Sequence, residues 1–453
     1  MSLDLETIRR LISQCAPEVP LEQGSRFYVN LDNQPDPVRG ERACIDILHR
    51  TILHAKDQSC QLFTGFPGTG KTTELLRLAH RLSEAQAPRA GHVIFINFED
   101  YIQRFEPITL SDVLRTLTYC LSVEADRLDQ VPPDQIGVRY LQRLFDGVKG
   151  ALPTKAELRN VQFSVFGAKL MLELRNNRTI HEQVEAGIRS RFQHFAEECD
   201  SVMREAIARI RRVVGSKADR LVIIADGLEK LTSLDGRDRE TIETAVESLF
   251  IAHSDFLRLP CHVIYTFPVW LRFRTAQLGA SYNCEPQTLP MIKVRDYKDT
   301  KKDHIFDEGV RRLYEIIKRR IEEPERIFGD SPLDALKPLI LASGGYPRDA
   351  LRLVRSVLQN EDTFPVSTTV IDREIRSLQQ SYHNLVLGTH AGLLQQIARD
   401  HKIPSDTPEQ RRQFGELFEH FLVLAYRNGE EWFDLHPLVR NAPALTRLGG
   451  GAP

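Results

Sequence analysis

Gly65-Phe66-Pro67-Gly68-Thr69-Gly70-Lys71-Thr72 matches the pattern G-x-x-x-x-G-K-[ST]. Before it, Gln61–Thr64 reads as a short buried strand. After it, Leu75, Leu76, Leu78, Ala79 and Leu82 recur at three- and four-residue spacing, which predicts a helix over Thr72–Leu82. Glycines between a strand and a helix let backbone N–H groups curl around an anion, and the helix N-terminus adds positive potential. The loop is therefore expected to hold the phosphates of ATP. Lys71 should reach the β- and γ-phosphates, and the Thr72 hydroxyl should ligate magnesium. Gly65, Phe66, Pro67, Gly68, Thr69, Gly70, Lys71, Thr72 and Thr73 are the expected nucleotide contacts.

Three more apolar, β-branched runs, His92–Phe98, Leu221–Ala225 and His262–Thr266, read as buried strands. Helical spacing lies between them at Leu110–Leu121 and Thr241–Ala252. Strands alternating with helices predict a parallel sheet covered on both faces, a three-layer α/β P-loop NTPase. The run Leu221-Val222-Ile223-Ile224-Ala225-Asp226 is an apolar strand ending in an acid, which aims Asp226 at the magnesium shell. Gly227 follows, where hydrolysing P-loop enzymes of this class often carry a glutamate. Glu229 comes two residues later. It is the candidate base if the turn brings it to the γ-phosphate, and otherwise a surface residue. Glu99 and Asp100, after the neighbouring strand, are its rivals. Asn97 reads either as a partner for the base or water, or as a satisfied strand-end amide. Thr266 ends the third strand, where a polar group often senses the γ-phosphate. Arg272 and Arg274 read as helix-surface side chains or as fingers for a neighbouring subunit's nucleotide.

A length of 453 residues suits two to four domains, and 42% apolar with 27% charged residues describes a globular chain. Net charge of −2 does not suggest a strongly basic nucleic-acid binder, although a local patch is compatible with it. The seven cysteines are scattered without a C-x-x-C pair, which suits neither a disulfide framework nor a zinc site. The acidic start Met-Ser-Leu-Asp-Leu-Glu has no apolar h-region, and runs such as Val93–Ile96 are too short to cross a bilayer. A cytoplasmic protein without membrane contact is expected.

The chain divides by pattern. Residues 1–37 form an N-terminal helical segment, with Leu5, Ile8, Leu11 and Ile12 on one face. Residues 38–300 form the ATPase core, interrupted by an insertion at about 122–219. In that insertion, 161–174 alternates like a hairpin. A long helix follows, capped by Thr179 and Glu182, and its stripe from Ile180 to Ile210 is expected to pack on the core. Residues 301–385 turn helical. Residues 386–447 add helices and a hairpin that turns at Asn428–Gly429, the pattern of a winged helix. Residues 448–453 read as a disordered tail. Gly344-Gly345-Tyr346-Pro347-Arg348 punctuates two helices and places Arg348 where it can meet the phosphates.

On these residues the chain resembles the additional-strand P-loop ATPases, the AAA+ and STAND groups, over about residues 36–440. Val38-Arg39-Gly40-Glu41-Arg42 is similar to the arginine-glycine element that lies near the adenine in those families, which implies a nucleotide contact for Arg39. Pro347 and Arg348 resemble their lid proline and sensor arginine. Leu435-His436-Pro437-Leu438-Val439-Arg440 is similar to the histidine motif of STAND ATPases and implies that His436 reads the ADP phosphate as a latch. Two features depart from the STAND pattern: no arginine follows Thr266 directly, and no effector domain or repeat array flanks the core. The resemblance implies an ATPase, at a rate that Gly227 leaves open. It implies a molecular switch acting on self-assembly or on a separate effector protein, with bacterial antiviral defence as one setting. A DNA-associated AAA+ role and a non-hydrolysing nucleotide-binding subunit are the alternatives. The winged-helix segment has no clear excess of basic residues for the first of these.

Overall fold

The computed structural model describes residues 4–32, 37–86, 90–102, 107–140, 143, 176–215, 220–230, 239–275, 277–296, 304–403 and 407–445. The expected hairpin at 161–174 and the tail lie outside them.

Five strands form one parallel sheet: β1 (Cys60–Gly65), β2 (His92–Asn97), β3 (Leu221–Asp226), β4 (His262–Thr266) and β5 (Gln287–Leu289). Their order is β2-β3-β4-β1-β5, so β4 is inserted between β1 and β3. The edge strand β5 was not expected. It is three residues long between Pro286 and Pro290, too short for alternation to show.

Alternation sorts the strand side chains onto two faces. Ile94, Ile96, Ile223, Ala225, Val263 and Tyr265 share a core with the Leu110–Leu128 and Phe192–Val214 helices. Phe63, Val222, Ile224, Ile264 and Leu289 share another with the Cys44–His54 and Lys71–Ser83 helices. The domain is thus a three-layer α/β P-loop fold.

From Val184 to Ile210 the stripe packs on the core as expected, but on two helices rather than one: Arg178–Arg189 and Phe192–Val214. Ser190 Oγ donates to Gly187 O at 2.8 Å and competes with the helix ladder, and Arg191 leaves helical geometry at φ −138 and ψ 32. Thr179 lies inside the first helix and does not cap it; Glu182 pairs instead with Arg178 at 2.8 Å. Buried Arg115 lies 2.5 Å from Asp112 and 3.1 Å from Glu185, which fastens the Arg178–Arg189 helix to the Leu110–Leu128 helix.

After the sheet, the helices Asp307–Lys318, Pro332–Ala342, Pro347–Asn360 and Thr368–His383 pack with the N-terminal Leu5–Gln14 helix in a third apolar cluster. The helices Ala391–Asp400 and Pro408–Glu419 and a hairpin, Val423–Asn428 with Glu430–Leu435, complete it. The hairpin pairs from Val423↔Leu435 to Asn428↔Glu430, with Gly429 at φ +84 in the turn.

The hairpin is seated on the sheet domain. Met291 N donates to Ala425 O at 2.9 Å, Asn428 Nδ2 donates to Asp296 Oδ1 at 3.0 Å, and Arg272 pairs with Glu431 at 2.6 Å. Among the described residues no helix is long and apolar enough to cross a membrane.

Candidate functional site

β1 ends at Gly65, and the loop turns into the Lys71–Ser83 helix through Gly70, which is left-handed at φ +99. Gly68 (φ +86) is needed for space as well. A Cβ there would lie 2.9 Å from the Arg348 side chain, so the loop backbone and the start of the Pro347–Asn360 helix touch directly. Lys71, only 4% exposed, donates from Nζ to Gly65 O at 3.0 Å and to Phe66 O at 3.1 Å. The same ammonium lies 3.5 Å from Glu229 Oε1.

The end of β3 faces this loop. Thr72 Oγ1 donates to Asp226 Oδ2 at 2.6 Å, while Asp226 Oδ1 is buried without a hydrogen bond. Burial, reinforced by the charge of Glu229, raises the Asp226 carboxyl to about 6. Glu229 is buried and accepts from Gly227 N at 3.1 Å. Burial alone would push its carboxyl up, but the Lys71 ammonium, hydrogen bonds from Thr266 and the backbone, and the Lys230 charge together hold it below the usual range.

Gly227 stands at φ +96, and a Cβ on it would lie 3.0 Å from Asn97 Oδ1 and 3.1 Å from Glu99 Cγ. A glutamate at 227 has neither the backbone geometry nor the room; the tight turn delivers Glu229 to the loop instead.

Lys71, Thr72 and Glu229 line one cleft of about 500 Å³ with Gly65, Pro67, Gly68, Thr69, Gly70 and Thr73; Asp226 stands behind Thr72, outside the cleft wall. Pro347 and Arg348 are in its wall as well. Arg39 also lines it, but its Nη2 donates to Thr69 O at 2.6 Å, so it braces the loop from within. Thr73 Oγ1 accepts from Leu21 N at 3.0 Å.

Other expected residues lie elsewhere. Asn97 caps the turn after β2: its Oδ1 accepts from Glu99 N and its Nδ2 donates to Asp100 Oδ1, each at 3.3 Å. Glu99 pairs with Lys230. The Phe66 ring turns away from the cleft into the third apolar cluster. His436 is fully buried and is not in the cleft wall. It lies 3.2 Å from Asp349 Oδ2 and stacks on Tyr382 with centroids 4.2 Å apart. Thr266 does not line the cleft, but its side chain stands behind the candidate base: Oγ1 donates to Ala225 O at 3.3 Å and reaches the Glu229 carboxylate. Arg272 and Arg274 are both engaged within the chain, Arg272 with Glu431 and Arg274 with Glu243 and with Glu247 at 2.8 Å.

Part of the cleft was not expected from sequence. Phe27, Tyr28, Val29 and Leu31 of the N-terminal segment line it, as does Lys230. The segment is polar and irregular, and no periodicity marks it. Contacts far along the chain hold it there: Arg77 lies over the Tyr28 ring at 4.2 Å, and Arg320 over Phe27 at 5.4 Å.

The donor set suits magnesium and a polyphosphate. Thr72 and Asp226 present hard oxygens, one of them buried and unpaired, and Lys71 with the helix start presents donors to an anion.

No protein-family model matches the chain, and no curated protein matches it. Among solved structures it is similar to the Aeropyrum pernix ORC1 protein in complex with DNA. That likeness has 15% identity and a TM-score of 0.33, over 92% of this chain and 97% of that one. It is also similar to the Aeropyrum pernix ORC2 protein in ADPNP and ADP complexes, at 13% identity and a TM-score of 0.36, over 94% of this chain and 96% of that one. At these TM-scores the likeness adds nothing to the fold read from the strand order and the loop.

Proposed function

We propose that the chain binds ATP with magnesium in the cleft beside Gly65–Thr72, hydrolyses it, and uses the bound nucleotide as a switch. The observation that carries this is the convergence of four groups at one loop: Lys71 lies 3.5 Å from Glu229, and Thr72 lies 2.6 Å from Asp226. Lys71 exchanges the Gly65 and Phe66 carbonyls for phosphate oxygens. Thr72 and Asp226 would hold the cation, which would neutralise charge on the phosphates. Glu229 orients and deprotonates the attacking water; its distance from Gly227 and its place in the cleft wall favour it over Glu99, which is engaged with Lys230. Arg348 and Pro347 read the phosphates from the helical lid, 301–385.

The output we propose is a change in how the lid and the segment 386–447, read as a winged helix, sit on the core. That change would govern self-assembly or the binding of a separate effector protein. The AAA+/STAND resemblance, and with it a cytoplasmic role in bacterial defence, supports this reading through motifs alone. His436 would act on the nucleotide through Asp349, the neighbour of Arg348, rather than by direct contact. A DNA-associated role has less support, because the hairpin that would face DNA is seated on Met291, Asp296 and Arg272.

The test is equilibrium binding of ATP and ADP with and without magnesium, together with light scattering in each nucleotide. Micromolar binding and a nucleotide-dependent mass are expected. No binding at millimolar nucleotide overturns the proposal. A steep salt dependence of DNA affinity would favour the DNA-associated role instead.

A further inference from the structure

The turn that brings Glu229 to the phosphate loop carries a lysine directly after it. Leu228–Lys230 is a single turn of 3-10 helix behind Gly227, and Lys230 lines the cleft together with Glu229. Lys230 Nζ donates to Glu99 Oε2, and among the described residues it has no other acceptor. An ammonium carries three N–H donors, so Lys230 can stay on Glu99 and serve a ligand at the same time.

The other cations near the loop are committed or stand on another unit. Arg39 donates to Thr69 O, and Arg320 donates to Ile316 O at 2.8 Å. Lys71 is surrounded by the Gly65 and Phe66 carbonyls and Glu229, and its place is on the bound phosphates. Arg348 belongs to the Pro347–Asn360 helix of the lid. Arg272 and Arg274 are outside the cleft wall and engaged with Glu431, Glu243 and Glu247. Lys230 differs from all of these, because it shares one short turn with the candidate base and needs neither lid movement nor a second subunit to be in place. Its charge is felt through the site. Burial and Glu229 raise the Asp226 carboxyl, and the Thr72 hydroxyl, Lys71 and Lys230 draw it down.

We infer that Lys230 is a catalytic residue of ATP hydrolysis: held by Glu99, its ammonium donates to the phosphoryl oxygens as the phosphoryl group passes from ADP to water. This rests on the ATPase reading and adds to it a cation for the charge that develops in the transition state. In the step, the water oxygen bonds to the γ-phosphorus. The bond from that phosphorus to the bridging oxygen breaks, and its electron pair leaves on ADP. Glu229 takes the water proton. Lys230 transfers no proton; it hydrogen-bonds the oxygens over which the charge spreads. Glu99 is a positioning residue that acts through Lys230.

The full chain is tested as Lys230→Met and Lys230→Arg. Steady-state phosphate release is measured, with Kd for ADP alone and for ADP with aluminium fluoride, a mimic of the phosphoryl group in transfer. In Lys230→Met, phosphate release should fall about 10²-fold. Kd for ADP should change by less than about twofold, while the aluminium fluoride complex weakens by about tenfold or more. Lys230→Arg should recover most of both losses. Wild-type turnover in Lys230→Met overturns the inference, and so does an equal weakening of ADP and of its aluminium fluoride complex. If Lys230→Met does not fold because Glu99 has lost its partner, Lys230→Met combined with Glu99→Gln is read by the same outcomes. A wild-type chain that binds ADP, releases no phosphate and gains nothing from aluminium fluoride overturns the ATPase reading, and the inference with it. A wild-type chain that binds no ADP overturns the nucleotide reading itself.

Discussion

Lys71 Nζ lies 3.5 Å from Glu229 Oε1, with both side chains buried, and the pair joins the phosphate loop to the turn that ends β3. It places the candidate base beside the candidate phosphate ligand without any glutamate next to Asp226. Glu229→Gln should therefore lower steady-state phosphate release about 10²–10⁴-fold while ATP still binds. Wild-type turnover in the variant would remove Glu229 from the chemistry. If the wild type and the variant both bind ATP and neither turns it over, the chain is not an ATPase.

Lys71→Ala should abolish ATP binding in calorimetry. It also leaves the Glu229 carboxylate buried without its cation, which destabilises by about 3–5 kcal/mol. Adding Glu229→Gln should recover much of the lost melting temperature without recovering binding. ATP affinity like that of the wild type in Lys71→Ala would sink the loop assignment.

In the proposed site magnesium would need the ionised Asp226 carboxylate, and burial with the Glu229 charge raises that carboxyl to about 6. As pH falls through 6 the group takes up a proton and loses the cation; above about 7 it is ionised and affinity levels off. Magnesium-dependent ATP affinity measured from pH 5 to 8 should fall by up to about tenfold per pH unit below 6. In Asp226→Asn the profile should be flat and weak. A wild-type profile that is level through pH 5 would show that Asp226 does not carry the cation.

Gly227 stands at φ +96 against Asn97 and Glu99. Gly227→Glu, which puts the acid where this class often has it, should destabilise by about 1–3 kcal/mol in urea unfolding and should not raise turnover. A stable variant with faster turnover would mean that the turn relaxes and that Glu229 is dispensable.

His436 and Asp349 are 3.2 Å apart, buried beneath the stacked Tyr382 ring, whose hydroxyl donates to Asp349 Oδ2 at 2.7 Å. His436→Ala and Asp349→Ala should each cost stability, and the double variant should cost less than their sum by about 1–3 kcal/mol. Additive losses in urea unfolding would show that the contact carries no energy.

Several features were legible in the sequence because they depend on local patterns. The loop Gly65–Thr72 shows because φ-permissive glycines and a lysine must sit at fixed offsets. β2, β3 and β4 show because buried parallel strands are continuous apolar runs, and the hairpin shows because Asn428–Gly429 is a turn pair. Where a feature depends on a neighbour far along the chain, the pattern was silent or misleading. β5 is too short to alternate, and the helix break at Ser190 turns on one side-chain hydrogen bond. The cleft wall from Phe27 to Leu31 has no periodicity at all.

The sequence by itself determined that this chain carries a phosphate loop on a parallel sheet, with Lys71, Thr72 and Asp226 as its polar equipment, because short-range backbone geometry and burial dictate those residues. Only the tertiary structure decided what surrounds them. It brought Glu229 rather than Glu99 into the cleft wall, because Gly227 turns the chain where no side chain fits. It kept His436 out of the cleft wall and put the Phe66 ring against Phe418, because side chains hundreds of residues apart meet only once the apolar cluster closes. The physical reason is range: dihedral preference and periodicity act over a few residues, while packing and ion pairing join whatever the fold brings within a few ångströms.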